Sequence, residues 1–421
     1  MHHFSYRNGV LHAEDVSIPS IADQIGTPFY CYSTATLERH YKVFSEAFRD
    51  QDALVCFAIK ANSNQAVLKL LGNLGAGMDI VSEGELRRAM AAGVPGERIV
   101  FSGVGKTRDE IALALEAGIL CFNVESEPEL AVISEVATSK GQTAHISIRV
   151  NPDIDAKTHA KISTGKSQNK FGIPISRARD VYKYAASLPG IQVTGIDMHI
   201  GSQIVELGPF DAASKVLASF AQELMADGHK LQHIDFGGGL GIPYFNNNHV
   251  PPDPQAYAEI IKKNASHLGL KFIFEMGRMI AGNAGILVAK VIYVKQGENK
   301  TFVIIDAAMN DLIRPTLYEA YHDIIPVKEA LPAAERQNVD IVGPVCETGD
   351  YFALDRSMPD LKPGDLISVM TAGAYGAVQS CTYNTRRLIP EVLVNGTKSS
   401  VVRPRQSYDE LIGLDRIPDW M

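Results

Sequence analysis

Cysteine is scarce in this chain and shows no pairing pattern. The five, Cys31, Cys56, Cys121, Cys346 and Cys381, are an odd number without C-x-x-C spacing, which excludes a disulfide framework and a thiolate zinc site and points to a reducing cytoplasm. No apolar run reaches membrane-span length, and Met1-His2-His3-Phe4-Ser5-Tyr6 lacks a signal-type apolar segment, so no membrane association is expected. Positive charge is also short. Against 40 Lys and Arg stand 48 Asp and Glu, a net charge of −8, so there is no general field for nucleic acid, and an anionic ligand must meet a local cluster. Low-complexity tracts are missing. No second ligand stands at metal spacing beside His199, so no metal is expected.

What is present is a long alternation. At 421 residues the chain exceeds one ordinary core, and two domains are expected. The first 34 residues read as short strands and turns, with Asn8-Gly9 a hairpin turn and Pro28-Phe29-Tyr30-Cys31-Tyr32 an aromatic strand. A helix over 33–50 follows. Apolar strands near 54–59, 78–81, 99–102, 121–124, 146–150, 193–199, 233–236 and 272–275 then alternate with helical segments such as 83–92, 108–117, 127–139 and 210–226. This pattern predicts an α/β fold, a (β/α)8 TIM-type barrel over 35–283. Beyond 284 the period changes to two, with strands at 286–294, 301–305 and 366–370 and helices expected at 329–339 and 407–413. The aromatic strand has no place in the barrel count, so a discontinuous β-rich domain, sandwich- or barrel-like, is expected from 1–34 and 284–421.

Barrel chemistry collects where strands end. The residues there are Lys60, Asp79, Ser102, Asn151, His199, Gly237 and Glu275, a reactive set for positions chosen only by topology. Lys60 closes the first strand in Phe57-Ala58-Ile59-Lys60-Ala61-Asn62; a partly desolvated amine there could attack a carbonyl and hold pyridoxal phosphate covalently, or it could merely snorkel from the strand end. Gly237-Gly238-Gly239-Leu240-Gly241 follows the seventh strand, the usual phosphate position, although glycines also make plain turns. Glu275-Met276-Gly277-Arg278 ends the eighth: the carboxylate suits a pyridine nitrogen and the guanidinium a phosphate or carboxylate, or the two form an internal ion pair. His199, in His199-Ile200-Gly201-Ser202-Gln203, could stack on a flat ring, with Ser202 bonding its phosphate. In the β-rich part, Cys346-Glu347-Thr348-Gly349-Asp350, Gly373-Ala374-Tyr375-Gly376-Ala377 and Arg314 in Asp311-Leu312-Ile313-Arg314-Pro315-Thr316-Leu317-Tyr318 stay open between a site and ordinary structure.

Together these motifs, with Thr164-Gly165 and Lys170-Phe171-Gly172, resemble the fold-type III pyridoxal-phosphate decarboxylases, in the family's order and over nearly the whole chain, and within them the branch acting on meso-2,6-diaminopimelate. Two positions depart from the usual pattern: Met276 stands where proline is common, and Asp197 where histidine is common. The resemblance implies a catalytic set of Lys60, Cys346 and His199, with Lys60 carrying the cofactor, His199 on its ring and Glu275 at its nitrogen. Ser202, Gly237, Gly238, Gly239, Gly277, Arg278 and Tyr375 would surround the phosphate or the adjoining substrate carboxylate. Arg278, Arg314 and Tyr318 would bind the substrate's distal carboxylate and Glu347 its distal ammonium. It further implies a homodimer with shared active sites, Cys346 and Glu347 coming from the partner subunit, and formation of L-lysine and carbon dioxide. A sibling decarboxylase for another basic amino acid, or for a polyamine or siderophore precursor, is the alternative.

Overall fold

The computed structural model describes residues 2–154, 169–245 and 251–421. Backbone contacts divide the chain into two units, one of Glu38–Pro243 with Val250–Ile280, the other of Met1–Leu37, Tyr244–His249 and Ala281–Met421.

In the first unit eight parallel strands close on themselves. They are Ala53–Ala58, Gly77–Ile80, Ile99–Phe101, Cys121–Val124, Ala144–Asn151, Ile191–Asp197, His233–Asp235 and Lys271–Met276, each paired to the next and the eighth to the first. This is the expected TIM-type barrel. Period-two geometry decides what faces inward. On the eighth strand Ile273 joins Cys56, Val100 and Cys121 in a small buried cluster, while Phe272 and Phe274 turn outward into an aromatic layer where Phe48 lies 4.3 Å from Phe274 and Phe44 5.3 Å from it. Each such fully buried phenyl ring contributes roughly 1.5–3 kcal/mol. Glu275, on the same alternation as Ile273, is thereby carried into the barrel interior. Helices after the second, third and fourth strands start on hydroxyl caps: Ser82, Thr107 and Ser126 each accept the backbone N–H three residues on, which satisfies one otherwise unpaired donor in each first turn.

The second unit is built on the strand Gly285–Gln296, antiparallel to Phe29–Ser33, Thr301–Ile305 and Leu366–Val369. Phe29–Ser33 pairs on its other edge, in parallel, with Glu391–Asn395. It is buried throughout, so its tyrosines must find internal partners: Tyr30 donates to Asp311 O at 2.5 Å and Tyr32 to Glu391 Oε2 at 2.7 Å. Asn8 and Gly9, with φ of 52° and 75°, make the expected turn between Phe4–Arg7 and Val10–Ala13.

Two local expectations are corrected. The span 329–339 is not a helix; a turn leads into the strand Arg336–Val342, which pairs with Thr301–Ile305 and Tyr351–Pro359. Sheet pairing that buries Val339 and Ile341 outweighs the helix propensity of the preceding residues. The first 34 residues contain a helix, Ile18–Ile25, with Pro19 in its first turn and Ile18 and Ile21 buried. The terminal helix Tyr408–Ile412 begins on a capping box of Ser407 and Glu410. Among the described residues no helix is long and apolar enough to cross a membrane.

Candidate active site

The first barrel strand runs into a single helical turn, Ile59–Ala61, which delivers Lys60 to the C-terminal end of the barrel. Its Nζ is ion-paired with Asp79 Oδ2 on the second strand. Asp79 is fully buried while the Lys60 side chain is 37 % exposed, so the amine stands at the boundary between the interior and the outside. Glu85, three residues past the Ser82 cap, accepts from Val81 N at 2.7 Å. Burial pushes its carboxyl up to about 7, against the pull of Lys60 and that N–H bond.

Glu275 Oε1 accepts from Ser102 Oγ at 2.8 Å and from Asn123 Nδ2 at 3.1 Å. Three strand ends thus fix one carboxylate. Burial first and Asp79 second push Glu275 above the ordinary carboxylate range, with Lys60 and Arg149 opposing.

His199 leaves the sixth strand and meets the glycine run. Its Nδ1 accepts the Gly238 N–H at 3.1 Å, which places the ring's remaining proton on Nε2. Burial, with Arg149 and then Lys60 adding, holds this imidazole well below its ordinary value, so it is neutral. The glycine run is required by space: a Cβ on Gly238 would lie 2.1 Å from Glu275 O, and one on Gly239, whose φ is +102°, 2.3 Å from Gly201 O. Gln203 clasps the far end, donating to Ile242 O at 2.6 Å and accepting from Ile242 N at 3.2 Å. Arg278 donates to Ser202 Oγ at 3.1 Å, and Gly277 O accepts from Ile280 N at 3.1 Å. Lysine, carboxylate, imidazole, guanidinium and glycine cradle therefore converge on one end of the barrel. Gly239→Ala combines a forbidden φ with a backbone collision, so a loss of roughly 1–3 kcal/mol is expected in denaturant unfolding; unchanged stability would show that the loop shifts freely.

The fifth strand anchors Lys170-Phe171-Gly172. Arg149 lies over the Phe171 ring at 5.0 Å and pairs with Glu125 Oε1 at 2.9 Å, while Glu125 Oε2 accepts from Gly172 N at 2.6 Å. Thr164-Gly165 lie outside the described residues. Asn151 serves this segment too, donating to Phe171 O at 3.4 Å.

In the second unit Arg314 opens the short helix Arg314–Tyr318. It is buried, donates to His322 Nε2 at 2.7 Å and stacks over Tyr244 at 4.5 Å. His322 in turn donates from Nδ1 to Met370 O at 2.8 Å. Thr316 Oγ1 donates to Gly349 O at 2.6 Å, tying this helix to the Cys346–Asp350 loop. Asp350 accepts from Met309 N and Val345 N, both at 2.6 Å, and Asn384 Oδ1 from Cys346 N at 2.9 Å. The loop is thus held at both ends with Cys346 exposed. Glu347 bonds Tyr383 and raises its hydroxyl; Tyr318 OH accepts from Gln379 at 3.5 Å. Tyr375 adopts a left-handed φ of 56°, a costly conformation for a non-glycine residue.

Reading strand ends misses Glu85, Asn123, Arg149 and Asp235. Three of these lie inside apolar strands, where a lone polar residue with apolar neighbours, as in Phe122-Asn123-Val124, marks an inward-facing group; Glu85 is legible only as the third residue after a serine cap.

The model of the pyridoxal binding domain of pyridoxal-dependent decarboxylases matches residues 34–282. Diaminopimelate decarboxylase of Vibrio cholerae is 50% identical over 419 residues, 99% of either chain. The chain belongs to the diaminopimelate decarboxylase family of pyridoxal-dependent decarboxylases. Family structures agree with it closely: diaminopimelate decarboxylase from Helicobacter pylori, complexed with L-lysine, has a TM-score of 0.90 at 41% identity, covering 94% of this chain and 98% of that one. The M. jannaschii enzyme, also with L-lysine, has a TM-score of 0.94 at 35% identity and covers 99% of both. The family's pyridoxal phosphate fits the residues present: an amine beside a buried acid, a carboxylate fixed by two donors, a neutral imidazole, and a cradle whose closeness leaves room only for glycine.

Proposed function

We propose that this enzyme, with pyridoxal phosphate, removes the α-carboxylate from the D-configured centre of meso-2,6-diaminopimelate and releases L-lysine and carbon dioxide. The convergence of Lys60, Glu275, His199 and the glycine run at the barrel's C-terminal end carries this reading, in a chain half identical over its length to a diaminopimelate decarboxylase. When bound, the cofactor supplies an electron sink for the charge left at the α-carbon. Lys60 would hold it through its amine, with Asp79 as the neighbouring counter-charge. Glu275, steadied by Ser102 and Asn123, would face the pyridine nitrogen, and neutral His199 would cover the ring without adding charge. Gly237, Gly238, Gly239, Ser202, Gly277, Arg278 and Tyr375 would bind the phosphate or the nearby carboxylate.

The distal end of this substrate carries both charges. Arg278, Arg314 and Tyr318 would take its carboxylate and Glu347 its ammonium. The departing carboxylate leaves its electron pair at the α-carbon, and the Cys346 thiol returns one proton there, to be reprotonated from water. The enzyme would act as a homodimer, Cys346 and Glu347 reaching the barrel site of a second copy. Carbon dioxide release from meso-diaminopimelate, lysine, ornithine and arginine tests the substrate: strong preference for the first is expected, and comparable turnover of ornithine or lysine would point to a sibling decarboxylase. Arg314→Met should lower kcat/KM about 30- to 1,000-fold, as loss of roughly 2–4 kcal/mol of charge-assisted binding requires. Cofactor content should persist. Unchanged kcat/KM, or lost cofactor in a variant whose Tm is unaltered, would remove Arg314 from the distal subsite.

A further inference from the structure

Beneath Glu275 lie two more buried acids. The sixth and seventh strands pair in parallel register with Asp197 directly opposite Asp235, an arrangement of like charges that a sheet ordinarily avoids. One oxygen of each, and one of Glu275, all lie within 4.8 Å of one another. Asp197 is 1% exposed and Asp235 is 0% exposed. Asp235 Oδ1 accepts from Gly237 N at 2.8 Å, but Asp235 Oδ2 and Asp197 Oδ1 are buried with no hydrogen-bond partner.

The surroundings offset the charge of this group only in part: Arg149 favours the anionic forms of Asp197 and Glu275, while Asp79 works against both aspartates and Glu125 against Asp197. Arg149, from the fifth strand, is held by Glu125 at 2.9 Å, and Lys60, from the end of the first, by Asp79. Cys56 and Cys121 face Asp235 from the first and fourth strands, and their thiols are pushed well up by burial, with Asp235 adding. Tyr182 donates to Gly195 O at 2.9 Å, while the Tyr257 hydroxyl is held above its ordinary range by burial with Asp235 adding. Of the three acids, Glu275 alone receives two side-chain donors, so it is the one equipped to stay anionic. The two unpartnered aspartate oxygens are where a carboxylic O–H would supply the missing donor.

We propose that Asp197 and Asp235 retain a shared proton at neutral pH, so that the pair sets one negative charge rather than two beside Glu275 and acts as a positioning pair for that carboxylate. The proposal rests on the reading of Glu275 given above. Burial, followed by Glu275, holds both aspartates well above the ordinary carboxylate range. The folded chain therefore binds more protons than the unfolded one once pH passes about 4, the ordinary aspartate value. Stability is lost as pH rises from there toward the raised values, and a neutral amide at either position removes that loss.

The test is infrared spectroscopy of the holoenzyme with and without ¹³C-aspartate. A carboxylic-acid C=O band that shifts with the label at neutral pH is expected, and it disappears in Asp197→Asn or Asp235→Asn. The Tm of Asp235→Asn relative to the parent should rise steadily as pH increases from acid to neutral. No labelled acid band in the parent overturns the proposal, and because that measurement needs no variant, a mutant that fails to fold does not block it. A Tm difference independent of pH overturns it too, as does a stoichiometric metal ion that is lost in Asp197→Asn. Full activity in Glu275→Gln, with the acid band intact, would instead refute the role given to Glu275.

Discussion

Lys60→Ala abolishes turnover and the borohydride-stable link between protein and cofactor. Both losses follow from removing the amine at the mouth of the barrel. The substitution also leaves Asp79 buried beside Glu85 without its cation. Breaking a fully buried pair costs about 3–5 kcal/mol, and the cost here should be smaller because the Lys60 side chain is 37 % exposed and solvent screens it. The double variant Lys60→Ala/Asp79→Asn should therefore regain stability in denaturant unfolding but no activity. Borohydride labelling of another lysine in Lys60→Ala would show that the cofactor is carried elsewhere.

Cys346→Ala should lower kcat about 10²- to 10⁴-fold, the usual contribution of a placed proton donor. The thiol is exposed while its loop is fixed by Asp350, Asn384 and Thr316, so it is presented outward on a firm support. If it serves the barrel of a second copy, mixing the inactive Lys60→Ala and Cys346→Ala proteins regenerates sites free of both changes. With random exchange of dimers about a quarter of the parental activity should return. Verified exchange without recovery would place the thiol in its own chain's site or outside the reaction.

The barrel could be counted in advance because each of its strands is a short apolar run closed by a polar residue, and because chemistry in this architecture gathers where strands end. Lys60, His199, Gly237 and Glu275 were legible in that way. No period marks Arg314, at the start of a five-residue helix, or Cys346 and Tyr375, in irregular loops, so the roles proposed for them rest on resemblance. Arg336–Val342 was misread because its partners, Thr301–Ile305 and Tyr351–Pro359, are distant in sequence. The acid pair was hidden for another reason. Asp197 and Asp235 each read as a lone polar residue within its own strand, and only the parallel register shows that they stand opposite each other.

The strand Phe29–Ser33 is synthesised before the barrel, yet both its neighbours, Gly285–Gln296 and Glu391–Asn395, are synthesised after it. At about 5–20 residues per second the wait for the second neighbour is roughly 20–70 s. Until the first neighbour is made, an aromatic strand that ends fully buried has two unpaired edges, and until the second it has one, the kind of template on which nascent chains aggregate. The barrel's strands each pair with the next one made, and only the closing pair, the first strand with the eighth, waits in this way. Production of this protein should therefore respond to chaperone supply, and chains truncated before residue 391 should accumulate as insoluble material even though every barrel strand is present.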